Sequence, residues 1–197
     1  MRRSVALLAS AAAIVVVHSS LAVAQSAQPY AFQIAGFSTA VAVGHEAVVT
    51  TGYGVEPQLR MNRLYSGERF GALSLGVGGQ WTSHTEASDK MKIIGAFLEP
   101  RWVPALGTTH IFPYLSARVA FLRQSSNFGT ASTGEAVGGG GGLGIKLTNT
   151  MNLDAGAQFI SQKFGLFNFS DDGSLGPSTS LSTFAAKVGF SWGFPGH

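Results

Sequence analysis

From residue 30 to the end of the chain, apolar and polar positions alternate with a period of two. The last segment is the clearest: Phe184, Ala186, Val188, Phe190, Trp192 and Phe194 alternate with Ala185, Lys187, Gly189, Ser191 and Gly193. A period of two predicts a strand, because successive side chains point to opposite faces. Leu153, Ala155, Ala157 and Phe159 form the same pattern against Asn152, Asp154, Gly156 and Gln158. So do Val137, Leu143, Ile145 and Leu147 against Gly138, Gly140, Gly142, Gly144 and Lys146, and Leu115, Ala117, Val119 and Phe121 against Ser116, Arg118 and Ala120. Further back, Ile94, Ala96, Leu98 and Trp102 alternate with Gly95, Glu99 and Arg101, and Leu73, Leu75, Val77 and Trp81 with Ser74, Gly76, Gly78 and Gln80. Thr51, Tyr53, Val55, Leu59 and Met61 alternate with Gly52, Gly54, Glu56, Gln58 and Arg60. The first segment, Tyr30 to about Val43, is the least regular. Phe32 and Ile34 suit one face and Phe37 and Val41 the other, which predicts a bulge.

Eight strands of about 10 to 14 residues fit a small transmembrane barrel. An open sheet edge in a bilayer would leave backbone groups unpaired at several kcal/mol each, so such a sheet must close. The expected fold is therefore all-β: a closed, antiparallel, eight-stranded transmembrane β-barrel, an up-and-down meander. Short turns are expected at Asn62–Arg69, Ala105–His110 and Thr148–Thr150. The opposite end carries longer polar connections, Ser125–Gly134 and Leu166–Ser180, the second including Asp171, Asp172 and Gly173.

The N-terminus follows a different pattern. Arg2 and Arg3 precede an apolar stretch from Val5 to Val17, and Ala22-x-Ala24 follows. This is the order of a cleaved secretory leader, and the stretch is too short for a membrane helix. Residues 1–24 are expected to be the signal peptide and residues 25–197 the barrel domain, beginning at Gln25. Losing two arginines lowers the formal net charge of +3 by two, so the basic composition is no argument for nucleic acid.

Composition agrees with this picture. Only 12% of residues are charged, 26 are glycine and none is cysteine, which excludes a coiled coil, a disordered tail and a disulfide scaffold. Eight charges fall on the small, polar faces: Glu56, Arg60, Glu99, Arg101, Arg118, Lys146, Asp154 and Lys187. None falls mid-strand on the apolar faces, where a basic residue would cost about 2–4 kcal/mol against lipid. The eight are expected to form a lumen charge network, because unpaired burial is costly. Aromatics gather at two levels, Trp102, Phe190, Trp192 and Phe194 toward the turn end and Trp81, Phe121, Phe159 and Phe184 toward the loop end. These are expected to form two lipid-interface girdles.

The leader, the eight segments, the stretches "FLEPRW" and "FPYLSARVAF" and the closing "KVGFSWGF" resemble small outer-membrane proteins of the OmpA-like and OmpX-like barrel kind. The resemblance covers essentially all of residues 25–197 and is one of pattern. It implies a bacterial outer-membrane location and a role in membrane integrity or surface interaction. The implied partners are outer-membrane lipids and, during biogenesis, periplasmic chaperones and the barrel assembly machinery. An aromatic-rich last strand resembles the signal that machinery reads; here Pro195, Gly196 and His197 follow the terminal aromatic Phe194.

Other chemistry is sparse. Gly139, Gly141 and Gly144 satisfy G-x-G-x-x-G, but a strand continues where a nucleotide site needs a helix. The glycines are better read as relief of crowding inside a narrow barrel. His45, His84, His110 and His197 form no metal-ligating pair. Ser83, His84, Glu86 and Ser88 crowd one loop-side connection, where outer-membrane lipid hydrolases use similar groups. No catalytic, metal or cofactor site is expected. The rival readings are a narrow, anion-preferring, porin-like channel, a lipid-modifying enzyme and a soluble lipocalin-like barrel.

Overall fold

The structure, a computed structural model, describes residues 28–43, 49–86, 89–106, 110–126, 131–165 and 179–194. The expected signal peptide, its cleavage site and Pro195–His197 lie outside the described residues. The regular elements are β1 (Tyr30–Val43), β2 (Val49–Gly67), β3 (Gly71–Glu86), β4 (Asp89–Val103), β5 (Ile111–Ser126), β6 (Ala131–Lys146), β7 (Met151–Phe164) and β8 (Thr179–Phe194). Each strand pairs antiparallel with the next, and β8 returns to β1, so the sheet closes into a barrel. The closing seam is continuous from Tyr30↔Phe194 to Val43↔Leu181.

Closure forces every strand to present one face inward, and the parity matches the alternation read from the sequence. Leu115, Val119, Phe121, Val137, Phe159 and Val188 stand exposed on the outside. Gln58, Arg60, Glu99, Arg118, Asp154 and Lys187 are buried inside.

The first strand departs from expectation. β1 has no bulge; its register against both neighbours is unbroken. Val41 faces inward and joins a buried apolar cluster with Ile93, Phe97, Leu122, Ile160, Phe164 and Leu181. Phe37 faces inward too, against Gly54. The irregularity lies instead in β2, where register shifts between Met61 and Tyr65. β2 therefore runs on to Gly67, through most of the expected Asn62–Arg69 turn, and only residues 68–70 connect it to β3. Gly71 resumes the sheet at φ +93°, and a Cβ there would strike the Val103 carbonyl. The Ser125–Gly134 connection is likewise shorter than expected, because β5 continues to Ser126 and β6 begins at Ala131.

The Thr148–Thr150 turn is where the sequence places it. Thr148 Oγ1 accepts the backbone N–H groups of Thr150 at 3.2 Å and Met151 at 3.0 Å, a side-chain turn that reverses the chain.

Candidate functional site

An eight-stranded barrel has an interior just wide enough for side chains to fill. In this chain large inward residues stand beside inward glycines on neighbouring strands. Arg60 and Glu99 flank Gly76 from opposite sides, and Arg118 pairs with Gly138. Asp154 lies between Gly144 and Gly189, and Lys187 pairs with Gly156. Tyr114 pairs with Gly142 and Phe112 with Gly144. A Cβ at Gly142 would lie 2.7 Å from the Tyr114 hydroxyl, and one at Gly76 would lie 2.9 Å from Nη2 of Arg60. Of the five consecutive glycines of β6, residues 138–142, the three that face inward, Gly138, Gly140 and Gly142, thus give up interior volume that β5 and β7 fill.

In that volume six charged side chains gather around Glu99, which is wholly buried. Arg60 Nη2 donates to Glu99 Oε1 at 2.8 Å, and Arg101 Nη2 approaches the same oxygen at 3.4 Å. Oε2 accepts from Arg118 Nη2 at 2.7 Å, Lys187 Nζ at 2.9 Å and Gln158 Nε2 at 2.8 Å. A second carboxylate, Glu56, accepts from Arg118 Nη1 at 2.8 Å and Lys187 Nζ at 3.0 Å. Asp154 Oδ1 accepts from Arg101 Nη1 at 2.7 Å. Four cations meet three carboxylates, leaving one net positive charge. Removing such ions from water costs several kcal/mol each, and only this density of charge-assisted hydrogen bonds offsets it.

Two aromatic rings complete the layer. Arg101 lies 3.9 Å over the Tyr114 ring, and Arg118 lies 3.9 Å over Phe97, so each guanidinium has a face stacked and an edge hydrogen-bonded. Neutral side chains extend the network: Gln58 Nε2 donates to Gln33 Oε1 at 2.8 Å, and Arg60 donates to Ser74 and Gln58.

Of the eight expected lumen charges, Glu56, Arg60, Glu99, Arg101, Arg118, Asp154 and Lys187 are brought together. Lys146 is not. It faces inward at the last residue of β6, half-buried at the turn-side mouth, and makes no ion pair among the described residues. It stands one inward position past Gly144, the glycine opposite Asp154, and so lies beyond the layer at the turn side. Residues that sequence reasoning did not place in the network are Gln33, Tyr114, Phe97 and Gln158. Their inward parity was the available signal, but an uncharged side chain can occupy either face.

Small cavities flank the charge layer. One, toward the loop end, is lined by Glu56, Gln80, His84, Arg118, Gln162 and Lys187 among others and holds about 10 Å3 of water-accessible space. The other, toward the turn end, is lined by Gln33, Arg60, Asn62, Arg101, Asn152 and Asp154 and holds about 20 Å3. Each has room for about one water.

Ser83 and His84 do not form a pair. Adjacent strand positions point to opposite faces, and His84 is buried inside against Gly52 while Ser83 has the outward parity. The side chains of Glu86 and Ser88 lie outside the described residues.

The aromatics lie on the outer face at both ends. Phe121, Phe159, Phe184, Phe190, Trp192 and Phe194 are exposed, and Trp81 and Trp102 are half-buried. Tyr65 and Phe70 join the turn-side level: Phe70 packs 5.5 Å from Trp102 and 5.7 Å from Tyr65, and its carbonyl accepts from Trp102 Nε1 at 2.8 Å.

No protein-family model matches the chain, and no curated protein matches it. Among solved structures, the neisserial surface protein A (NspA) is similar, with 16% identity and a TM-score of 0.63 over 84% of this chain and 97% of that one. The outer membrane enzyme PagL is similar at 13% identity and a TM-score of 0.51, over 79% of this chain and 97% of that one. At such identities the likeness speaks for architecture: this chain has the fold of the small eight-stranded outer-membrane barrels.

Proposed function

We propose that the chain is a non-enzymatic barrel of the bacterial outer membrane, exported by a cleaved leader, with its lumen filled by side chains. Its role is membrane integrity or surface interaction through the connections at the loop end. One observation carries the reading: the wall turns its apolar residues outward while seven charged residues meet inside. Leu115 and Val119 are 57% and 58% exposed, whereas Glu99 is 0% exposed. A contiguous apolar exterior of this extent suits lipid and would aggregate in water. It also reverses the faces a soluble lipocalin-like barrel would need.

The filled lumen speaks against the porin-like reading. The charge layer crosses the interior, and the cavities beside it admit single waters. The opposite orientations of Ser83 and His84 remove the side-chain pair on which a hydrolytic reading rested. Periplasmic chaperones and the barrel assembly machinery are the partners expected for a chain on this route.

Membrane fractionation of cells expressing the full chain tests this reading. The chain should sediment with outer-membrane markers and begin at Gln25. Recovery from the soluble fraction, or from the membrane still beginning at Met1, would overturn it.

A further inference from the structure

The outer surface changes character at the loop end, and it does so on one side only. Along β5 the outward residues Ile111, Leu115, Val119 and Phe121 form an exposed apolar lane. Ten residues at about 3.4 Å, tilted by roughly 40°, give a height near 25 Å, the expected thickness of the apolar band. Arg123 is the next outward residue on this lane, so it stands at the level where lipid headgroups begin. On β4, Ile94 pairs with Arg123, and the outward residues beyond Ile94 are Lys92 and Lys90. Lys90 and Lys92 are about 7 Å apart along one strand, and Lys92 is the diagonal neighbour of Arg123, about 7–8 Å away. All three are exposed, and none makes an ion pair among the described residues.

The rest of the rim supplies the contrast. Toward the same end β8 presents Ser180 and Ser182, β1 presents Ala40, β2 presents Thr51 and β3 presents Thr85. These residues are uncharged. A general need for hydration at the interface is met there by hydroxyls, so it does not account for three cations gathered on two adjacent strands. On the far side of the patch Glu135 of β6 stands opposite Lys163 of β7 and diagonal to Arg123, so this acid and that lysine balance in charge and the rim keeps the net charge of the three cations.

We propose that Lys90, Lys92 and Arg123 form a docking surface for the phosphorylated headgroup of a lipid whose chains lie along the apolar lane beneath them. The chemistry is that of a phosphate: a short-range cluster of ammonium and guanidinium donors, above an exposed aromatic and aliphatic strip that accepts acyl chains. Phe121 and Ile94 form the top of that strip. This inference rests on the membrane reading given above and adds a lipid class and a location on the wall.

The test uses the full barrel in phosphatidylcholine nanodiscs doped with lipid A carrying its phosphates or with enzymatically dephosphorylated lipid A. Native mass spectrometry reads lipid retained on the ejected protein. Wild type should retain the phosphorylated form preferentially, and added salt should reduce the preference. Each basic residue near an anionic surface is worth about fivefold in binding, so Lys92→Gln with Arg123→Gln should lower retention roughly 25-fold. Arg63→Gln, at the turn-side end, should leave it unchanged. Equal retention of the two lipid forms by wild type would overturn the proposal without recourse to a variant, as would undiminished retention by the double variant. Inorganic phosphate that displaces the lipid at low millimolar concentration would reassign the patch to a soluble anion and also overturn it. A barrel that inserts into the discs but shows no phosphate preference contradicts the rim alone; one that never inserts contradicts the membrane reading itself.

Discussion

The barrel interior is filled in two ways. Toward the loop end Val41, Ile93, Phe97, Leu122, Ile160, Phe164 and Leu181 pack as a buried apolar cluster. Below it, Glu99 gathers Arg60, Arg101, Arg118 and Lys187 with Glu56 and Asp154 alongside. The same wall encloses both, so the barrel architecture does not dictate which filling is used. The two fillings differ in what holds them. The apolar half depends on volume, and a small loss in one residue is shared by its neighbours. The ionic half depends on completeness, since each charge is tolerable only while its partners remain. Arg118 joins the halves, with its guanidinium between two carboxylates and its flat face on Phe97.

Substitutions at the centre of each half should separate these two kinds of dependence. Glu99→Ala leaves four cations without their shared carboxylate and should destabilise the barrel by about 3–5 kcal/mol. Adding Lys187→Met to that variant should cost much less than it costs alone, because it removes a charge already orphaned. Leu122→Ala, in the apolar half, should cost about 2–5 kcal/mol. Urea unfolding from phosphatidylcholine vesicles measures all of these. Additive costs for Glu99 and Lys187 would mean that the ionic half behaves as independent contacts, and the comparison would fail.

The outer face sets the next scale. Val188→Arg places a cation mid-strand on the exposed side of β8 and should cost about 2–4 kcal/mol in the same assay. Ser191→Arg, three positions on and inward-facing beside Asp154, should act instead through crowding and competition with Arg101 for that carboxylate. A Val188→Arg barrel as stable as wild type would reverse the assignment of faces.

How much of this was legible in the sequence follows from the same comparison. Charged residues announce their face, because a carboxylate or guanidinium mid-strand has nowhere to go but inward. Seven of the eight named from parity meet in the layer for that reason, while Lys146 misses it because parity gives the face and not the height. The apolar half was hidden. Phe97 and Ile93 lie on a β4 whose other face is also apolar, and either set could meet lipid. Phe37 and Val41 suggested a bulge in β1 for the same reason, since an interior apolar cluster was not anticipated. Strand ends were least legible: the Met61–Tyr65 register shift lets β2 continue through residues that read as a turn. The partnership of large inward residues with glycines was visible as composition, but pairing each glycine with its neighbour required the register.

Current across a planar bilayer is the most direct test of a lumen closed by the Glu99 layer. The wild-type barrel should give only small, infrequent events, preferring anions because the layer carries a net positive charge. Arg118→Ala, which removes the guanidinium between Glu56 and Glu99, should enlarge them. A large, steady current through the wild-type barrel would contradict the closed lumen and leave the charge layer as the lining of an open path.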